Sequence, residues 1–372
     1  MSNNLKGAVA LLVIGLAAVA AIRIGKPLWK ERQQRQTSDA RATKGTISIA
    51  SDNWIGYFPL CSPEMKKRMR TSTGWILECQ DDKADYAARM KRLKNSEIDI
   101  AVATVDSYIL NATSYGFPGV MTLVIDESKG GDAIVARKDR VPNIDAVKGR
   151  KDLKVAFTPN SPSHHLLKAV STHFDVPELL PQGANRIETD GSPEALKKLL
   201  GGTTDVAVLW EPDVSRALAN DNIIKLLSTK DTYHLIVDIL LISRDYSQGN
   251  PDVVMALFEN YFRTLKLYRD NPDRLIEDVM AATSLPRETV ITMLDGVAWV
   301  NLADNAEKWF GVSAPGVSAE HGLAQTIDST VEVLRANSDF SSNPVPNNDP
   351  YRLTESKYIN DLYVRGIAGF AS

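Results

Sequence analysis

Apolar runs and amphipathic segments alternate along the chain from Thr46 onward. Short continuous apolar runs are typical of buried strands, and apolar positions at helical spacing are typical of helices. The predicted strands are 46–54, 75–80, 98–105, 120–126, 132–139, 153–159, 184–188, 203–210, 223–228 and 234–245. The predicted helices are 63–71, 86–95, 163–174, 193–200, 251–269, 272–283, 287–296 and 318–337. This alternation predicts an α/β protein with largely parallel sheets.

Residues 203–212 carry the clearest signal for a site. They form an apolar run, typical of a strand buried on both faces, that stops at Trp210, Glu211 and a proline. In open α/β sheets, ligands bind beyond the carboxyl ends of the strands. The sequence therefore places Trp210 and Glu211 where a ligand would lie.

Other predicted strands also end in polar or aromatic residues, which complete a candidate cleft. Gly56 and the pair Gly130 and Gly131 allow tight turns and close backbone approach beside them. The candidate ligand-binding residues are Asp52, Asn53, Trp54, Tyr57, Thr104, Asp106, Asp126, Ser128, Asn160, Ser161, Ser163, His164, Asp190, Trp210 and Glu211.

Several of these residues also fit a purely structural role. Trp54 and Trp210 have an alternative interpretation as core aromatics. Ser163, Asp106 and Asp190 have an alternative interpretation as helix N-caps, because Ser and Asp are preferred at that position.

Five segments carry a resemblance to a known family: SDNWIGYFP at 51–59, DIAVATVDSYILNA at 99–112, VIDESKGGDAIVA at 124–136, FTPNSPSHHLL at 157–167 and DVAVLWEPDVSRAL at 205–218. In this order they resemble the nitrate, sulfonate and taurine branch of ABC-transporter solute-binding proteins. The resemblance covers about residues 46–340. It implies a type II periplasmic-binding-protein fold, in which two α/β lobes joined by two crossing segments close over one small ligand.

The resemblance also implies a division of the chain. The crossings are expected near 136–140 and 237–243, which makes one lobe discontinuous. The expected organisation is an apolar helix and charged tether at 1–45, a first lobe at 46–136 and 240–372, and a second lobe at 137–239. The implied function is that of the substrate-binding component of an ABC-type uptake system, with a membrane permease as partner.

Charge is divided unevenly along the chain. Residues 1–45 hold eight basic and two acidic residues, which leaves 35 basic and 44 acidic residues in the body, a formal charge of −9. A body that acidic, without a basic stripe, argues against a nucleic-acid partner. The length of 372 residues and the hydrophobic content of 44% are sufficient for a sizeable core.

Residues 7–22 form an uncharged, mostly apolar run after Lys6, which is typical of an export signal. The small residues at 18–20 fit a cleavage site. The alternative is an uncleaved membrane anchor, since the run would span roughly 24 Å as a helix. Basic and aromatic residues at 23–30 would extend it at the interface. We favour the anchor.

Two observations favour opposite orientations of that anchor. Positive charge after the run favours a cytoplasmic body by the positive-inside rule, whereas the resemblance implies an exported one. We expect the body to be anchored at the inner membrane and to face the periplasm, and the cytoplasmic orientation stays open.

The chain has two cysteines, Cys61 and Cys79. Cys61 lies near the start of the helix after the first strand, and Cys79 lies near the end of the next strand. In a right-handed βαβ unit these positions are at the same end of the sheet, so a disulfide is one interpretation and implies an oxidising compartment. Two buried free thiols are the other interpretation.

The candidate cleft is acidic and has no obvious arginine or lysine. Its carboxylates are Asp52, Asp106, Asp126, Asp190 and Glu211. They would repel an inorganic anion, although the helix start at 161–164 suits a polar or anionic group. We therefore expect a small polar organic ligand, neutral or zwitterionic, whose amine or ring faces the carboxylates and tryptophans. This departs from the nitrate-like members of the family.

Catalytic signatures are missing from the sequence, so we expect a binding protein without a cofactor and not an enzyme. There is no P-loop, no Gly-x-Ser-x-Gly elbow and no His-Glu-x-x-His. His164 and His165 are adjacent, so on a helix they share no face for a metal. One alternative is a membrane-tethered sensor or assembly subunit that reuses the fold without transport. Another is a biosynthetic enzyme of the pyrimidine-synthase type, with His164 or Glu211 as acid–base residue.

The anchor hypothesis predicts that the mature chain keeps residues 1–22 and fractionates with membranes. Deleting residues 1–45 should release a soluble, folded monomer, because the body's core owes nothing to the anchor. Mass spectrometry of the mature N-terminus checks this: a start at Ala21, with the protein in the soluble periplasmic fraction, would contradict the anchor. Protease treatment of spheroplasts decides the orientation, because only a periplasmic body is digested.

Overall fold

The computed structural model describes residues 43–173, 176–180, 182–183, 185–311 and 322–366. The anchor and most of the tether predicted at 1–45 lie outside these residues. Across these ranges, no helix is both long and apolar enough to cross a membrane.

The strands alternate with helices from the start of the described chain. The strands are β1 (Gly45–Ser51), β2 (Trp75–Asp81), β3 (Ile100–Thr104), β4 (Gly119–Ser128), β5 (Asp132–Arg137), β6 (Val155–Phe157), β7 (Arg186–Glu188), β8 (Val206–Trp210), β9 (Ile223–Ser228), β10 (Val237–Ser243) and β11 (Val297–Trp299). The helices are α1 (Phe58–Cys61), α2 (Pro63–Arg68), α3 (Tyr86–Lys94), α4 (Val105–Ala112), α5 (Pro162–His173), α6 (Gly191–Leu200), α7 (Asp213–Leu218), α8 (Arg244–Gly249), α9 (Pro251–Asp270), α10 (Pro272–Thr283), α11 (Arg287–Leu294), α12 (Leu302–Asp304), α13 (Gly322–Ala336) and α14 (Lys357–Arg365). The predicted α/β class is confirmed.

The strands form two mixed sheets. One has the order β11-β4-β10-β3-β1-β2, and the other has the order β7-β6-β8-β5-β9. Three neighbouring strands are parallel in each sheet, whereas β10 runs antiparallel to β3 and β5 runs antiparallel to β8. The expectation of largely parallel sheets is therefore only half right. The reason is that the chain enters β5 and β10 directly from the other sheet and not through a crossover helix.

The two crossings between sheets lie earlier in the chain than the sequence suggested. Strand β5 pairs with β8 from Asp132 onward, and β10 belongs wholly to the six-stranded sheet. The crossings are therefore 129–131 and 229–236, and not 136–140 and 237–243. Gly130, at φ 121°, takes a backbone conformation that favours glycine and allows the first crossing to turn sharply. We call the described residues of 43–128 and 237–366 the larger lobe, and those of 132–228 the smaller lobe.

The burial of strand β8 on both faces explains why its sequence is apolar throughout. Val206 and Val208 pack in the core on one face of the smaller sheet, and Ala207 and Leu209 pack in the core on the other face. The next residue, Trp210, packs in the core of the larger lobe. A strand covered on both faces loses the alternation of apolar and polar residues, and its last residue reaches across to the other lobe.

A disulfide joins Cys61 at the end of α1 to Cys79 on β2, with 6.0 Å between the Cα atoms. Strand β2 is the edge strand of the larger sheet. The crosslink therefore fastens the first helix after β1 to the sheet edge.

Replacing Cys61 and Cys79 together with Ser should lower the free energy of unfolding. The disulfide closes a sequence separation of 18 residues, and a loop of that size contributes about 3 kcal/mol in the chain-entropy model. Urea unfolding of both proteins measures the difference. Thiol labelling of unreduced, denatured wild type is the control, and two free thiols per chain would contradict the crosslink.

Candidate ligand-binding site

The end of β1 is built around a buried arginine that the sequence analysis did not identify. Arg89 on α3 is 0% exposed and pairs with both Asp52 and Asp82. Asp52 also accepts hydrogen bonds from the Tyr86 hydroxyl (3.1 Å) and the Trp54 backbone N–H (3.1 Å). Burial raises the pKa of Asp52, and the Arg89 charge opposes that rise. This predicted ligand carboxylate is thus already neutralised by the protein.

Trp54 lies where the first crossing meets the larger lobe. Its indole N–H donates to Asp126 Oδ1 at 3.2 Å. A Cβ on Gly131 would lie 2.3 Å from the indole ring, and one on Gly56 would lie 2.2 Å from both the indole nitrogen and Asp126 Oδ2. Glycine is required at both positions because the ring and carboxylate occupy the space of a side chain. The predicted close approach at these glycines is therefore present.

Asp126 faces a second carboxyl group, Asp238, which the sequence analysis assigned to an apolar strand. The two residues are register partners on β4 and β10. The Tyr57 hydroxyl donates to Asp238 at 2.6 Å. Burial raises the pKa of Asp126 to about 8. The hydrogen bonds with Trp54 and with Asp238 act in the opposite direction and lower that pKa. Burial and then the Asp126 charge raise the pKa of Asp238 well above its ordinary value.

Two further carboxyl groups come from opposite lobes, and each has one oxygen without a donor. Asp106 on α4 and Asp132 on β5 are each 2% exposed. Neither Oδ1 atom has a hydrogen-bond partner among the residues that the structure describes. Burial raises the pKa of each to about 7, opposed by Thr104 for Asp106 and by Ser128 for Asp132. The charges of Asp106, Asp52 and Glu211 also raise the pKa of Asp132.

Asn53 and Trp210 fasten the lobes together. The Trp210 indole N–H donates to Asn53 Oδ1 at 2.8 Å, and the Asn53 amide donates to Asp213 on α7 at 3.3 Å. The backbone N–H of Ile55 donates to the Glu211 carbonyl at 3.1 Å. Trp210, at 2% exposure, is therefore both a core aromatic and an interlobe contact.

The Glu211 carboxylate is bonded within its own lobe. Its two oxygens accept from the Ser215 backbone N–H and hydroxyl, both at 2.9 Å. Burial raises the pKa of Glu211 to about 6, against these two hydrogen bonds. Both carboxylate oxygens therefore have partners before any ligand binds.

The turn before α5 is also internally bonded. The Ser161 hydroxyl donates to Thr158, and the Ser163 hydroxyl donates to Val208 and does not cap the helix. His164 Nδ1 accepts from the Asn160 backbone N–H at 3.0 Å. Burial, with the Lys168 charge, lowers the pKa of His164 to about 3, so the ring is neutral at physiological pH.

The remaining candidates have different surroundings. Thr104 caps α4 in a reciprocal capping box with Ser107. Ser128 hydrogen bonds to Thr229 at 2.8 Å and joins the two crossings. Asp190 is exposed and makes no capping bond to α6.

Two cavities open between the lobes. The first, about 350 Å³, has Tyr86 and Asn111 of the larger lobe facing Thr158 and Asn160 of the smaller lobe. The second, about 330 Å³, is lined by Asp52 and other residues after β1, together with α7 and the end of α10. Tyr86, which lines the first cavity, donates a hydrogen bond to Asp52, which lines the second. The Thr158 hydroxyl oxygen is buried without a partner in the described chain.

Metal-binding groups were sought in the same region. Within the described ranges, no three His, Cys, Asp or Glu side chains are grouped to hold a metal ion. The adjacent His164 and His165 lie on one helix and belong to no such group.

The chain is similar in structure to solute-binding proteins. No protein-family model and no curated protein matches it. The alkanesulfonate-binding protein SsuA from Xanthomonas axonopodis pv. citri, bound to MOPS, has a TM-score of 0.63 and 13% identity over 82% of this chain and 96% of that one. The ligand-binding component of an ABC-type import system from Staphylococcus aureus, with zinc bound, has a TM-score of 0.63 and 13% identity over 86% of this chain and 99% of that one.

An enzyme shares the same architecture. A mutant of the desulfurization enzyme DszB in complex with biphenyl-2-sulfinic acid has a TM-score of 0.57 and 10% identity over 87% of this chain and 100% of that one. Identities this low establish the fold alone. The predicted two-lobed periplasmic-binding-protein fold is therefore confirmed.

The buried carboxyl groups predict that the ligand-free chain loses stability as the pH rises. Unfolded Asp residues ionise near about pH 4, whereas Asp106 and Asp132 ionise near about 7 when folded. Between these two pH values the folded state binds more protons than the unfolded state. The stability that these protons contribute is therefore complete below about pH 4 and is lost as the pH rises through about 7. Urea unfolding between about pH 5 and about pH 8 measures the slope.

Asp132→Asn should flatten that slope, because an amide does not ionise. Asp221→Asn, at an exposed position in the same lobe, should leave it unchanged. An unfolding free energy that increases from about pH 5 to about pH 8 in the wild type would contradict the assignment.

Proposed function

We propose that this chain is a solute-binding protein whose two lobes close over a small polar organic solute, neutral or zwitterionic overall. The observation that carries the proposal is the pair of buried carboxylate oxygens without donors, one from each lobe, at Asp106 and Asp132. Native proteins satisfy nearly all buried polar atoms, and exceptions call for a bound partner or a function. A solute between the lobes supplies such a partner.

Aromatic groups beside the crossing support an organic solute. Trp54 and Tyr57 hydrogen bond to the Asp126 and Asp238 pair, and Trp210 reaches from the smaller lobe into the larger one. Pockets for organic ligands combine aromatic walls with a few polar groups that fix orientation.

The fold supports an uptake role for the bound solute. One structural neighbour is described as the ligand-binding component of an ABC-type import system. We propose that this chain likewise delivers its solute to a membrane permease, from a body held at the periplasmic face by residues 7–22. The Cys61 to Cys79 disulfide supports an oxidising compartment such as the periplasm.

The acid–base residues of the enzyme alternative receive little support. His164 accepts a backbone hydrogen bond and has a pKa of about 3, below the range of a general base at neutral pH. Both Glu211 oxygens are bonded to Ser215. We therefore propose binding and not catalysis.

Gly131→Ala should weaken solute binding at least about tenfold, or about 1.4 kcal/mol. The added methyl would lie 2.3 Å from the Trp54 ring and 3.0 Å from the Gly296 carbonyl, so the ring must move. The solute is recovered from natively purified full-length protein, identified by mass spectrometry and titrated back by calorimetry after refolding.

Gly249→Ala is the matched control, because a methyl there meets no atom within 4 Å. Trp54→Phe, which removes the hydrogen bond to Asp126 and part of the ring, replaces Gly131→Ala if that variant does not fold. Equal affinity in all variants would remove Trp54 from the site. Failure to recover a solute, with no thermal stabilisation by a cell extract, would count against the proposed function itself.

A further inference from the structure

We infer that the interlobe cavity of about 350 Å³ holds the solute by hydroxyl groups, so that the buried part of the solute is an uncharged polyol. The inference rests on the proposed solute-binding function and names the chemical class of the solute. Residues 82–87 and Asn111 of the larger lobe line this cavity, together with 158–160 and 189–190 of the smaller lobe. A solute in the cavity therefore contacts both lobes.

The smaller lobe contributes a buried hydroxyl that has no partner. Thr158 directly follows β6 and lines the cavity. It is 3% exposed, and its hydroxyl oxygen makes no hydrogen bond within the described chain. Native proteins provide a partner for nearly all such groups. The missing partner is a group of the solute.

The larger lobe contributes an amide oxygen that has no donor. The Asn111 amide nitrogen donates to the Ser107 carbonyl at 2.7 Å and to the Asn160 carbonyl at 2.9 Å. Both amide hydrogens are therefore used, and the oxygen can only accept. Among the described residues no group donates to this oxygen, and Asn111 lines the same cavity as Thr158. The solute must therefore bring an O–H or N–H donor.

Charge is confined to the exposed part of the cavity lining. The exposed charged residues are Lys83, Asp85 and Asp190. Asp82 is paired with Arg89. The buried lining residues are uncharged: Ala84, Tyr86, Asn111, Thr158 and Thr189. An ionised group of either sign among them would lose its hydration without a counter-charge, so the buried part of the solute is neutral.

A hydroxyl group satisfies both of the open positions. It can donate one hydrogen bond and accept two, so neighbouring hydroxyls can donate to Asn111 Oδ1 and pair with the Thr158 hydroxyl. An ether or ketone lacks the donor. Tyr86 adds an aromatic wall, and its own hydroxyl is already bonded to Asp52. Aromatic walls with a few polar groups are typical of sites for small organic ligands.

The backbone around the cavity is strained on both sides. Lys83 and Ala84 in the larger lobe have φ 60°, and Asn160 in the smaller lobe has φ 53°. Residues other than glycine rarely adopt this conformation, and they do so preferentially at ligand-binding sites. The lobes also approach closely here, since a Cβ on Gly191 would lie 3.2 Å from the Lys83 carbonyl oxygen. This strain supports a binding role for the cavity.

Thr158→Val tests the contact, because it replaces the hydroxyl by a methyl of similar shape. The natively recovered solute should bind refolded full-length Thr158→Val at least about fivefold more weakly than wild type in calorimetry, because a solute hydroxyl loses its partner. The thermal midpoint without ligand should not fall, since an unpartnered buried hydroxyl is removed.

Thr204→Val is the matched control. Thr204 lies in the same lobe, is 0% exposed and also has a hydroxyl without a partner in the described chain, but it does not line the cavity. This variant should bind the solute as the wild type does. Equal affinity of Thr158→Val and Thr204→Val would overturn the inference.

Three probes with four-carbon chains test the chemical class: erythritol, erythronate and succinamide. Erythritol is a neutral polyol, erythronate adds a carboxylate, and succinamide is neutral but has amides in place of hydroxyls. At millimolar excess, erythritol should displace the recovered solute, and the other two should displace less. Direct titration replaces displacement if no solute is recovered. No binding of erythritol, or equal binding of either other probe, would overturn the inference.

The outcomes separate the inference from the proposed function. A recovered solute without hydroxyl groups would contradict the inference and leave solute binding intact. The same holds if the recovered solute binds Thr158→Val as tightly as wild type. If no solute is recovered and neither erythritol nor a cell extract binds, the proposed function fails and the inference fails with it.

Discussion

Between the two sheets, buried carboxyl groups outnumber buried cations. This excess of negative charge constrains the structure of the region between the lobes. Asp52 is balanced by Arg89, but Asp106, Asp126 and Asp132 have no such partner among the described residues. Ionised groups in this position are unfavourable, so the ligand-free site keeps protons or opens to water.

The backbone beside this cluster permits the two sheets to approach. Gly130 turns the first crossing, and Gly131 leaves room for the Trp54 ring. Direct interlobe contacts among the described residues include the hydrogen bonds of Asn53 with Trp210 and of Asn111 with Asn160, and the ion pair of Lys168 with Asp339. Contacts of this kind are individually weak in net free energy. The lobes are therefore held together by the sum of several modest contacts.

Local pattern in the sequence predicted the fold well and the site only in part. The apolar run at 206–210 and the glycines beside Trp54 follow from residues that are neighbours in the chain, so they were visible. The pairing of Asp52 with Arg89 joins residues 37 apart, and Asp238 sits inside an apolar run, so neither carries a local signal. Asp132 was not identified as a candidate for a different reason. It directly follows Gly130 and Gly131, but the sequence analysis assigned it only to the predicted strand.

The difference between the features that the sequence predicted and those it did not predict separates what a fold determines from what side chains determine. Two lobes with strand ends facing each other provide a place for a ligand, but they do not fix its charge. That charge depends on which residues follow the strands and on whether other side chains already neutralise them. Here Arg89 and Lys168 are engaged by Asp52, Asp82 and Asp339. The charge preference of the proposed site thus depends as much on cations that are already paired as on the carboxylates.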